Sequence, residues 1–107
     1  MAGEYTLHPQ GELDVATVEG LRQQWLDEVD ARRPDRLVVD MSGVTFLDST
    51  GLGAIVALQR RQRPHGGVVA ITNAGPVVAK VLQLTGMHLT MEVNGTPPAP
   101  GEGQAQG

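Results

Sequence analysis

Length, composition and charge exclude several classes of protein. The chain has 107 residues, enough for one domain with a modest core, and contains no cysteine, which excludes disulfides and cysteine-bound metals. Its formal net charge of −4 and its aromatic content of 3% argue against nucleic-acid binding. A membrane span needs about 20 consecutive apolar residues, and no apolar run is that long. The first residues also lack the features of an export signal. We therefore expect a cytoplasmic protein.

The first third of the chain predicts a short strand followed by one helix. Residues 4–8 have a strand pattern that Pro9 halts, so this strand should lie at a sheet edge, and residues 10–11 are typical of a turn. Asp14 or Thr17 would cap the helix that follows. Its apolar residues recur at intervals of three and four, the period of an amphipathic helix: Val18, Leu21, Trp25 and Val29.

The middle of the chain alternates between strand and helix patterns. The predicted strands cover residues 37–39, 44–47, 68–71 and 89–93, and the predicted helices cover residues 50–63 and 76–86. Alternation of this kind predicts an α/β fold, with a small, mostly parallel sheet of four to five strands and three or more helices packed on it.

The composition changes after Val93. Residues 94–107 are rich in glycine and proline and contain almost nothing to bury, which predicts a disordered tail. We therefore assign residues 1–93 to one domain, in which residues 1–10 form a short or truncated strand region.

The candidate functional residues cluster at the junction between the strand at 44–47 and the helix that follows it. Asp48, Ser49 and Thr50 stand at the helix N-terminus, where unpaired amides and the positive end of the dipole suit a phosphate. Asp, Ser and Thr are also the preferred capping residues, so a purely structural role remains open on the pattern alone. Glycines at 51 and 53 would let a partner approach closely.

Enzymatic chemistry is not indicated by these residues. Ser49 lacks the Gly-x-Ser-x-Gly turn of a serine hydrolase. The three histidines at positions 8, 65 and 88 are too scattered for a metal site. We therefore predict a binding protein that is not an enzyme and that uses neither a metal nor a cofactor.

Four short motifs occur in order along the chain. They are GELD at residues 11–14, VDMSGV at 39–44, FLDSTGLG at 46–53 and VLQLTGM at 81–87. Together they resemble the STAS domain of the anti-sigma factor antagonist family, over about residues 11–93. The resemblance implies a STAS-like fold and a bacterial regulator that acts in stress responses by partner switching.

The resemblance also implies how such a switch works. The unphosphorylated antagonist binds an anti-sigma factor that is itself a serine kinase, and so frees the sigma factor. The kinase phosphorylates the serine after the motif's Asp, here Ser49, with Thr50 as a secondary candidate, and a PP2C-type phosphatase reverses the reaction. The implied partner surface comprises Asp14, Asp48, Ser49, Thr50, Gly51, Leu52 and Gly53.

An alternative role exists for a chain of this kind. It could be a STAS subunit that is never phosphorylated, within a lipid-transport ATPase complex or a stress-signalling assembly. The Asp-Ser-Thr-Gly motif favours the antagonist, because transport-associated relatives often have Asp-Ser-Ala-Gly. We expect a monomer or a weak homodimer with no membrane partner.

Overall fold

The computed structural model of the protein describes residues 3–98, which form six strands and three α-helices. The strands are β1 (Glu4–Leu7), β2 (Gln10–Leu13), β3 (Arg36–Asp40), β4 (Gly43–Leu47), β5 (Val68–Thr72) and β6 (Glu92–Val93). The helices are α1 (Val18–Arg32), α2 (Ser49–Gln62) and α3 (Pro76–Leu84). Two 3₁₀ turns, Arg63–His65 and Met87–Leu89, follow α2 and α3.

The strands form two parallel sheets. The larger sheet has the order β1-β3-β5-β6, and β2 pairs with β4 in a separate two-stranded sheet. A mostly parallel sheet with three packed helices confirms the predicted fold class. β1 lies at an edge of the larger sheet, as predicted for this segment, although Pro9 itself lies two residues beyond the strand.

One aliphatic cluster fills the interior. The central strands β3 and β5 contribute continuous buried runs, as their apolar sequences predict for strands covered on both faces: Leu37, Val38, Val39, Val69, Ala70 and Ile71. α1 buries the predicted stripe at Val18, Trp25 and Val29, with Leu21 packed at its margin. The apolar runs of the two strands and the apolar spacing of α1 therefore predict the core residues correctly.

Two elements differ from the sequence prediction. Residues 10–11, expected to form a turn, instead begin β2, because their backbone pairs with β4 although only Leu13 of the strand is buried. The last strand is shorter than residues 89–93. Gly86, with φ of 80°, turns the chain into the 3₁₀ helix Met87–Leu89, and only Glu92–Val93 pairs with β5.

The first residues of the expected tail contact the domain. The Asn94 side chain accepts a hydrogen bond from the Ala74 N–H at 2.9 Å and donates one to the Ala74 carbonyl at 3.0 Å. Val93 and Thr96 form an antiparallel bridge. These residues are therefore held against the fold, while positions 99–107 of the expected disordered tail lie outside the described residues.

A candidate partner-binding site at the start of helix α2

The paired ends of β2 and β4 create this site. Leu13 pairs with Leu47, so Asp14 and Asp48 follow directly from neighbouring positions of two parallel strands. The Asp48 N–H donates to the Leu13 carbonyl at 3.2 Å, which ties the start of α2 to the end of β2. The strand that the sequence did not predict is thus the one that brings Asp14 beside the hydroxyl cluster.

Asp48 is the N-cap of α2. Its Oδ1 accepts hydrogen bonds from the Thr50 N–H at 2.9 Å, the Gly51 N–H at 3.1 Å and the Thr50 hydroxyl at 2.6 Å. The capping role expected for this cluster therefore falls to Asp48 alone. It also means that a phosphate on Ser49 would not find these amides unpaired, contrary to the expectation from the sequence.

These contacts favour the ionised form of Asp48. The Thr50 hydroxyl first, and then the Gly51 amide, donate to the carboxylate and lower the pKa of Asp48 below its ordinary value. Because the folded pKa lies below the unfolded one, the stabilising contribution is complete above the unfolded pKa. It is lost as the pH falls through the folded pKa.

Replacing Asp48 with Asn should therefore reduce the loss of folding stability as the pH falls. Asn caps helices about as well as Asp but does not titrate. Between about pH 5 and pH 3, the urea midpoint of the variant should fall less than that of the wild type. Asp27→Asn makes the same substitution on the exposed face of α1, away from the cap, and is the matched control for the loss of one carboxylate. Equal slopes for the wild type and Asp48→Asn would contradict the lowered pKa of Asp48.

The structure distinguishes the two hydroxyl candidates. Ser49 is the first residue of α2 and is exposed, and within residues 3–98 its hydroxyl has no hydrogen-bond partner. The Thr50 hydroxyl is also exposed, but it donates to Asp48. Ser49 is therefore available for modification, whereas Thr50 would have to give up its hydrogen bond first.

Gly51 faces the interior of the fold, which contradicts the expectation that its lack of a side chain leaves room for a partner. It is buried, and a Cβ at this position would lie 2.5 Å from the Leu13 carbonyl oxygen and 2.7 Å from Leu47 Cδ1. The lack of a side chain lets α2 approach the end of β2. Gly53 is exposed, with nothing within 4 Å of such a Cβ, and Leu52 is half-buried.

The loop after Asp14 completes the site and contains a residue that the sequence analysis missed. Asp14 Oδ1 accepts from the N–H groups of Ala16 at 3.0 Å and Thr17 at 3.2 Å, which fixes the loop. Val15 is 72% exposed beside the cap, and its backbone N–H contributes to the lowered pKa of Asp48. Val15 is apolar but does not belong to the buried stripe of α1, and this pattern could have predicted its exposure from the sequence.

Neither a metal site nor a membrane helix was found in residues 3–98. No group of three His, Asp or Glu side chains within that range could hold a metal ion. The helices found there are too short or too polar to cross a bilayer.

Known proteins with similar sequences and structures identify the family. The STAS domain family model matches residues 2–98. The anti-sigma-F factor antagonist RsfB of Mycobacterium tuberculosis is 35% identical over 88 residues, which cover 80% of this chain and 69% of that protein. The chain therefore belongs to the STAS domain family. Its relatives in that family include proteins named as anti-sigma factor antagonists, which confirms the resemblance of its motifs.

Solved structures agree with this assignment. An anti-sigma factor antagonist from Mycobacterium paratuberculosis has a TM-score of 0.75 at 29% identity, over 96% of this chain and 85% of that chain. The phosphorylated form of the Bacillus cell fate determinant SpoIIAA has a TM-score of 0.66 at 21% identity, over 99% and 92% of the two chains. At that identity the second likeness concerns the fold alone.

Proposed function

We propose that this protein is a cytoplasmic anti-sigma factor antagonist whose switch residue is Ser49. In the unphosphorylated form it binds an anti-sigma factor that is also a serine kinase, and the sigma factor is freed. Phosphorylation of Ser49 releases the antagonist, and a PP2C-type phosphatase restores it. The observation that carries this proposal is the exposed Ser49 hydroxyl, which has no hydrogen-bond partner within residues 3–98 and stands on a fixed helix cap. The similarity to proteins named as antagonists supports the role.

Charge explains how phosphorylation would release a partner. A phosphoryl group adds about −1.5 to −2 charge. The Thr50 and Gly51 amides already donate to Asp48, so the new dianion would stand beside two carboxylates, those of Asp14 and Asp48. A partner packed over Ser49 would have to bury this charge without compensation, which is costly. The fold would persist because Ser49 is exposed.

The apolar residues around the cap complete the proposed surface. Val15 is largely exposed beside the Asp48 cap, and Leu52 is half-buried about one turn along α2 from Ser49. An interface centred on Ser49 would bury both side chains, and such burial supplies most of the favourable energy of association. We therefore include Val15 in the partner surface together with Asp14, Asp48, Ser49, Thr50, Leu52 and Gly53.

Mass spectrometry of the protein from its native cells tests the modification directly. We expect one phosphoryl group on Ser49, with an occupancy that changes under stress. Ser49→Ala should abolish it, whereas Ser42→Ala, which changes another exposed serine, should leave it intact. Absence of phosphate under every condition, together with co-purification of a permease and an ATPase, would favour the fixed STAS subunit instead.

A further inference from the structure

A groove runs between the outer faces of α1 and α2, separate from the cap of Asp48. It encloses about 340 Å³. Its floor is aliphatic, formed by the buried Leu26 of α1 and by the half-buried Val56 and Ala57 of α2. Its rims carry Arg22 from α1 and Arg60 and Arg61 from α2. Gly53 and Pro64 complete its lining, and we refer to this groove as the arginine groove.

The arginine groove concentrates positive charge on an acidic protein. Three of the eight basic residues of the chain line it, although the formal net charge is −4, and no carboxylate lines it. Arg61 pairs with Asp30 at 2.5 Å and is partly neutralised. Arg22 and Arg60 are exposed and form no ion pair within the described residues.

The helix dipole explains only some of the arginines that line the groove. Basic residues in the last turn of a helix complement its dipole, which is sufficient reason for Arg60 and Arg61. Arg22 lies in the second turn of α1, at the opposite end of its helix from the favourable position. Arg22 nevertheless lines the same groove as the two arginines of α2, so the helix dipole does not explain why basic residues of both helices meet there.

We propose that the arginine groove docks an acidic, amphipathic helical segment of a protein partner. Carboxylates on both sides of such a segment would pair with the guanidinium groups, which match carboxylate geometry in a bidentate manner. Its aliphatic stripe would cover Leu26, Val56 and Ala57, as in other helix-in-groove complexes. A nucleotide fits less well, because no aromatic side chain lines the groove to stack on a base.

The groove reaches towards the switch site. Gly53 lines its near end, one turn along α2 from Ser49, and the open space above Gly53 leaves room for a segment to continue in that direction. A partner could therefore contact both surfaces at once. Docking in the groove needs no modification of Ser49, and its test is independent of the proposed function.

A labelled model peptide tests the proposal. The probe is a helical peptide of about four turns, with glutamates flanking a leucine stripe, and fluorescence anisotropy measures its affinity for the full chain. Arg22→Glu and Arg60→Glu should each weaken binding about tenfold or more. Arg63→Glu makes the same change of charge at the end of α2 but outside the groove, and should change affinity by less than about twofold.

Several outcomes would overturn it. One is the absence of binding; another is an equal loss of affinity in Arg63→Glu. A scrambled peptide of the same composition that binds equally well would reduce the interaction to general charge attraction. ATP, or vesicles containing phosphatidylserine, would reassign the groove to phosphate groups if they bound with the same dependence on Arg22 and Arg60. Urea unfolding of each variant verifies that the fold is retained.

Discussion

Gly51→Val should lower the free energy of unfolding by about 3 kcal/mol or more, the upper range for overpacking a close contact. The added Cβ would lie 2.5 Å from the Leu13 carbonyl oxygen. That atom belongs to the backbone of β2 and accepts the Asp48 N–H, so it cannot move without disturbing the cap. The Leu47 side chain, 2.7 Å away, blocks the remaining space.

Gly53→Val is the matched control, because the same substitution two residues along the same helix meets open space. Its effect on the free energy of unfolding should stay within about 0.5 kcal/mol. Urea titration of the two variants beside the wild type measures both values. Similar stabilities for the two variants would mean that α2 can move away from β2 at little cost, and the proposed role of Gly51 in close packing would be wrong.

Ser49→Ala should remain bound to the anti-sigma factor kinase when ATP is added, whereas ATP should release the wild type. Alanine removes the acceptor oxygen without touching the Asp48 cap, since the Ser49 hydroxyl has no hydrogen bond within residues 3–98. Ser49→Asp should bind about tenfold more weakly even without ATP, because its carboxylate stands beside Asp14 and Asp48. A single carboxylate imitates a phosphate dianion only in part.

Ser42 supplies controls for both substitutions. It is an exposed serine between β3 and β4, so Ser42→Ala and Ser42→Asp repeat the chemical changes away from the cap. Both should bind and respond to ATP like the wild type when the complex is followed by size-exclusion chromatography. If ATP released Ser49→Ala as it releases the wild type, the assignment of the switch to Ser49 would fail.

The parts of the fold that the sequence predicted are those with strong local signals. The apolar runs at residues 37–39 and 68–71 predict buried strands because few other elements hide so many consecutive apolar residues. The period of α1 and the proline at the start of α3 are equally local. Each of these signals depends only on residues within the element itself.

β2 could not be predicted in this way. Only Leu13 of its four residues is buried, Gly11 has φ of 78°, and the register shifts between Gly11 and Glu12. A strand of this composition is defined by its neighbour β4, about thirty residues later. The position of Asp14 beside Asp48 depends on that pairing. The geometry of the site therefore could not be predicted from the residues of either segment alone.

The inward position of Gly51, by contrast, was accessible from the sequence. Its spacing to the buried residues Ala54, Ile55 and Leu58 of α2 is three, four and seven, which places it on the buried stripe, whereas Gly53 lies off that stripe. Helical period alone distinguishes the two glycines.

The pairing of β2 with β4 also determines at which stage of folding the site forms. Both parallel sheets join the first strands to segments far along the sequence, with Glu4 and Arg36 separated by 32 positions. Closing such long loops is entropically costly, so we expect these pairs to form after the local contacts. A nascent or partly unfolded copy carries Ser49 without the Leu13 carbonyl that anchors its cap. A partner that recognises the anchored cap would therefore bind only copies in which β2 and β4 have paired.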